Sequence, residues 1–140
     1  MAIWRESVNS TTEAEIDGLV RATVGHVHTS LATRGSIRSC MVATTHDGEI
    51  EICEDDIERN GNTLANRVQM RPGDYSAVAY VIDEPGQCEI QVGVEHCDGI
   101  AITVFGPYRT NQQSGAVSFR EFRSEMAPPT MWKKPHLVAV

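Results

Sequence analysis

The residues best suited to chemistry lie in one stretch, residues 89–109, "EIQVGVEHCDGIAITVFGPYR". At its centre Glu95, His96, Cys97 and Asp98 place an imidazole, a thiol and two carboxylates beside Gly99. Imidazole and thiolate are zinc ligands, and a cysteine brought close to a base can act as a nucleophile. At its end, Pro107 is followed by Tyr108 and Arg109. An aromatic ring beside a guanidinium suits a carboxylate, a phosphate or a protein surface.

Register decides which of these groups share a face. Ile90, Val92 and Val94, then Ile100, Ile102 and Val104, read as two strands joined at Asp98-Gly99. A two-residue loop would set the first three residues beside Ala101, Thr103 and Phe105. A three-residue loop, Cys97-Asp98-Gly99, sets them beside Ile100, Ile102 and Val104, which makes one face wholly apolar. The second register is preferred, with Gly99 supplying the left-handed corner. Gln91, Gly93 and Glu95 then share the other face with Ala101, Thr103 and Phe105.

Adjacent strand residues point to opposite faces, so Glu95 and His96 cannot act on one substrate as a pair. His96 is expected at the rim of the apolar face, with Cys97 and Asp98 in the turn. Gly106-Pro107 is expected to end the strand, because proline cannot donate to a ladder, and so to release Tyr108 and Arg109 beyond the sheet. The candidate ligand-binding residues are therefore Tyr108, Arg109 and His96. Each has an ordinary structural alternative: a packed tyrosine, an arginine paired with an acid, and a rim histidine with a satisfied hydrogen bond.

Other constellations are weaker. His26 and His28 with His96 or Cys97 could offer metal ligands, but side chains two apart on a helix diverge by roughly 200°. Cys40, Cys53, Cys88 and Cys97 stand singly, without a C-x-x-C, and read as free thiols that behave as small hydrophobes. No glycine-rich loop lies between a strand and a helix to cradle a phosphate. No catalytic residue, metal or cofactor is expected.

The elements that must position these residues follow from pattern. Thr12 to Glu15 reads as a capping box, and Ile16, Leu19, Val20, Thr23, Val27 and Leu31 form an apolar stripe. A helix over 12–34, stopped by Gly35, results. Strand-formers flank His46-Asp47-Gly48 as a hairpin. A short second helix is predicted at about 62–71, with Leu64, Ala65 and Val68 on one face and Pro72-Gly73 ending it. "DYSAVAYVIDE" is a strand stopped by Pro85-Gly86, and "AVSFREF" a short last strand with Val117 and Phe119 on one face. The fold class is α+β: an antiparallel five- to six-stranded sheet with two helices, in the order α-β-β-α-β-β-β(-β). Residues 1–126 form the single domain, and 127–140 a Pro-rich tail that docks on the body or on a neighbouring subunit.

The chain has 140 residues, a net charge of −7 and a pI near 5.1. Its basic residues are scattered, whereas nucleic-acid binders concentrate them, so no nucleic acid is expected as a partner. No apolar run is long enough to span a bilayer, and no basic-then-apolar leader opens the chain; no membrane is expected, and a cytoplasmic location is.

Glu95, His96, Asp98, Gly99, Pro107, Tyr108 and Arg109, with "VSFREF" and "TMW" after them, resemble an uncharacterised family of small bacterial hypothetical proteins. Its pattern is Glu-His-x-Asp-Gly, an apolar strand, then Pro-Tyr-Arg. The resemblance spans the last third of the chain and implies no activity, so it transfers no catalytic residue. The element order resembles roadblock and profilin-like folds, which implies a fold and not a function. The functional expectation is a non-enzymatic cytosolic domain that self-associates as a dimer and binds a protein partner or small ligand. One alternative is a binder that sequesters a small anionic, nucleotide-like molecule through Arg109, Tyr108 and a second arginine. The other is a Cys/His hydrolase or metalloenzyme built on His96 and a cysteine.

Overall fold

A computed structural model describes residues 3–34, 40–54, 67–68, 70–84, 88–111, 113–114, 116–129 and 132. After a short 3-10 helix, Ile3–Ser7, comes one long helix, α1, Ser10–Arg34. It begins two residues before the predicted capping box. Asn9 is the cap: its Oδ1 accepts the Thr12 N–H at 2.8 Å, and its backbone O accepts the Glu13 N–H at 3.0 Å. Asparagine caps as well as threonine does, so the earlier residue takes the role. Thr12 and Glu15 thereby fall inside the first turns and are released for other contacts. The apolar stripe is as expected, with Ile16, Leu19, Thr23, Val27 and Leu31 buried and Val20 packed alongside.

The sheet is antiparallel. In chain order its strands are β1 (Cys40–Thr45), β2 (Ile50–Glu54), β3 (Tyr75–Glu84), β4 (Glu89–His96), β5 (Ile100–Thr110), β6 (Val117–Phe119) and β7 (Arg123–Ala127). Their lateral order is β2-β1-β3-β4-β5, and β6 and β7 share the outer edge of β5. Among the described residues there are thus seven strands, where five or six are expected. The extra one, β7, pairs Ala101 to Phe105 with Arg123 to Ala127. The predicted second helix falls largely outside the described residues. Arg67, Val68 and Met70 are helical, and the Arg71 N–H bonds the Arg67 carbonyl at 3.0 Å.

α1 covers one face of the sheet. Against it lie Val42, Ala79, Val81, Ile90, Val92, Val94, Ile102 and Val104, all buried. The opposite face is covered at one end by Met41, Ala43, Val68, Tyr75 and Val78, with Tyr80 and Trp132 packed on them. Ile50 and Ile52 alternate with Glu51 and Cys53 on β2, and at the sheet's edge they are 46% exposed. Trp132 lies on the body: its N–H donates to Glu95 Oε2 at 2.6 Å and its indole N–H to the Pro72 carbonyl at 3.3 Å. The remainder of the tail beyond Pro129 is outside the described residues.

Candidate functional site

The β4–β5 hairpin has the three-residue loop. His96 pairs with Ile100, Val94 with Ile102 and Val92 with Val104, and Gly99 turns the corner at φ +89°. Glu95 pairs with Ala101 and points away from α1, whereas His96 points toward it. The two adjacent residues therefore live in separate surroundings. Glu95 is buried under Trp132, and its charge joins burial in pushing the Tyr80 phenol up from its ordinary range, burial being the larger cause.

His96 is more enclosed than a rim position implies, at 2% exposed. The Asp98 backbone N–H donates to His96 Nδ1 at 3.0 Å, which leaves the ring proton on Nε2. Nε2 then donates to Glu15 Oε1 at 3.3 Å, across 81 residues of sequence. Thr12 Oγ1 donates to Asp98 Oδ2. Both residues assigned by sequence to a capping box thus hold the hairpin turn instead. The Cys97 thiol sits half-buried among these groups, and burial first, then Asp98 and Glu15, push its pKa up. A nucleophilic cysteine needs the reverse, a thiolate favoured by cationic neighbours. The turn is an electronegative nest.

The far end of the hairpin corrects the sequence reading. Pro107 does not end β5, which continues to Thr110 and pairs Tyr108 with Phe119 and Arg109 with Ser118 of β6. The reason is the side on which the missing donor lies. Bonds to β4 here come from Tyr108, whose N–H donates to the Cys88 carbonyl at 2.9 Å, and Pro107 supplies only an acceptor, to the Arg120 N–H at 2.8 Å. Tyr108 is not released but buried, with its ring against Phe119 at 6.1 Å. Arg109 is exposed. His96 lies at the other end of the same hairpin, roughly 25 Å away along the strands, so the three candidate residues do not meet in one cavity.

What Arg109 does meet is Arg120, which sequence reading left unnamed. Arg109 pairs with Ser118 of β6, and Arg120, the residue after β6, bonds Pro107, so the two arginines are diagonal neighbours, a relationship that places Cβ atoms roughly 7–8 Å apart. With Cys88, Pro107, Tyr108 and Thr110 they line a shallow depression of about 430 Å³. Nearby, Arg123 is occupied: it pairs with Glu89 Oε2 at 3.4 Å and stacks 4.3 Å over the Phe105 ring. Among the described residues no acid pairs with Arg109 or Arg120. Cys88 is the one non-glycine described residue with positive φ, at +50°.

His26 and His28 do not converge on this site; His28 Nε2 bonds the Val117 carbonyl at 3.1 Å. All four cysteines are free. No helix among the described residues is long and apolar enough to cross a membrane. No protein-family model matches the chain, and no curated protein or solved structure is similar to it.

Proposed function

We propose that this protein is a non-enzymatic binding domain that takes a small phosphate- or carboxylate-bearing molecule at the Arg109–Arg120 corner. The observation that carries the reading is two neighbouring exposed arginines that have no acid partner among the described residues, on a chain whose net charge is −7. Most cations of so acidic a protein have acids within reach. Two adjacent ones that lack them repel each other, and a bidentate anion relieves that repulsion while matching guanidinium geometry. Arg109 is held on β5, and the Arg120 N–H bond to the Pro107 carbonyl holds Arg120 where the chain leaves β6. Tyr108 contributes beneath the corner as a packed support, not as a free platform. A cytosolic setting has the support of four free thiols.

Self-association keeps one support, the exposed Ile50 and Ile52 on the edge strand β2. The same strand is only five residues long, and a short edge strand offers little to a second copy. The anion reading is therefore the better one.

Thermal unfolding with millimolar inorganic phosphate and a panel of nucleoside phosphates tests it. Ligand at 100 times its Kd adds about 2.7 kcal/mol of stability, a shift of several degrees. The shift should be lost in the Arg109→Gln/Arg120→Gln double variant. No shift with any of these anions, or a shift of equal size in the double variant, would overturn the reading.

A further inference from the structure

We propose that the hairpin turn is a divalent-metal site of the zinc type, with His96 Nδ1, Cys97 Sγ and an Asp98 carboxylate oxygen as ligands. The donor atoms of these three consecutive residues lie within 4.8 Å of one another. The His96 Nδ1 to Asp98 Oδ2 distance is already 3.8 Å. Tetrahedral zinc, with bonds of roughly 2.0–2.3 Å, requires ligand atoms about 3.4–3.6 Å apart. A contraction of at most about 1.4 Å within one turn would complete the triad.

The second part of the argument is orientation. A metal-bound imidazole characteristically donates its other ring N–H to a carboxylate, which fixes the tautomer and the ring plane. His96 has that arrangement, with Nε2 donating to Glu15 and the Nδ1 lone pair turned toward the turn. The lone pair is held there by the Asp98 N–H, which the ion would displace. Thr12 holds the Asp98 carboxylate by donating to the same oxygen, Oδ2. Side chains of α1 thus fix two of the three ligands from outside the set.

Charge placement agrees with this: the Glu15 and Asp98 carboxylates flank the two nitrogens of the His96 ring at 3.3 Å and 3.8 Å, so a dication bound at the turn meets two acids. On binding, the Cys97 thiol gives its proton to solvent as sulfur joins the metal. Of the three ligands, Asp98 also borders a hollow of about 490 Å³ shared with Ser7, Asn9, Gly99 and Met126, so the turn is reached from solvent on that side. The ligand spacing, three residues in a row, makes the site local to the turn. It is separate from the arginine corner.

Titration of the reduced protein with Co²⁺, read by absorption, tests the site. One equivalent should bind and produce a thiolate-to-cobalt charge-transfer band, and Zn²⁺ should displace it. Cys97→Ser should abolish the band and Asp98→Asn should weaken binding at least tenfold, while Cys88→Ser leaves both unchanged. Glu15→Gln should weaken binding by roughly 10–100-fold, as loss of a ring-orienting partner does. Asp98 and Cys97 are partly exposed, so these variants fold even where substitution of the buried His96 does not. No cobalt bound at 100 times the protein concentration, or a band that survives Cys97→Ser, overturns the proposal.

Discussion

At one end of the β4–β5 hairpin, His96, Cys97 and Asp98 sit with Glu15 beneath the start of α1. At the other, Arg109 and Arg120 stand in solvent beside Cys88. The strands are the same, yet the first end gathers acids around one buried imidazole, and the second presents to water two cations with no acid partner among the described residues. Each end also has one left-handed residue, Gly99 at φ +89° and Cys88 at φ +50°. Glycine takes that conformation freely, whereas an L-residue gives up about 1–2 kcal/mol. The contrast separates geometry from chemistry. Where only a corner is required, glycine makes it; where a side chain is kept in a strained corner, the side chain itself is the candidate reason.

If the hairpin is the common scaffold of both ends, its buried core should matter most to stability and least to selectivity. Ile102 belongs to that core, opposite Val94 and beside Met126 of β7. Ile102→Ala should lower stability by about 3 kcal/mol through lost burial and a residual cavity, measured as a fall in the urea midpoint at constant slope. Anion and cobalt affinities of the folded variant should be unchanged. A loss at only one end would show that the ends are not held by a shared core. Gly99→Ala acts locally and less strongly, with an expected cost of about 1–2 kcal/mol from the forced left-handed conformation. It should weaken cobalt binding and leave phosphate binding alone; equal effects on both would contradict two independent ends.

Sequence periodicity was enough for the parts of this architecture that repeat. The stripe on α1 and the register of the hairpin are read from spacings of 3.6 and 2, and the odd loop length follows from which register makes a face apolar. What stayed hidden has no local signature. "RSEMA" has little intrinsic strand preference and is a strand because β5 offers an open edge, so β7 is a product of tertiary context. Asn9 and Thr12 are both good caps three residues apart, and only the fold chooses. Pro107 looked like a terminator because sequence does not say which side of a strand lacks a partner. Glu15 meets His96, and Arg120 meets Arg109, through pairings that no spacing rule encodes. The chemistry of both ends is therefore long-range, although one half of each was visible.

The smallest expected effect bears most directly on why the two corners differ. Cys88→Gly removes the left-handed penalty of about 1–2 kcal/mol and adds the greater chain entropy that glycine loses on folding, roughly 0.5–1 kcal/mol. The side chain is exposed, so no packing is lost, and the Cys88 carbonyl that receives the Tyr108 N–H is unchanged. The net expectation is a gain of about 0.5 kcal/mol, detectable as a small rise in the denaturation midpoint. Stability that rises while phosphate binding falls would mean the thiol, or the exact corner it imposes, serves the arginine depression. Stability that falls would mean Cys88 is not strained, and the contrast with Gly99 would then rest on the arginines alone.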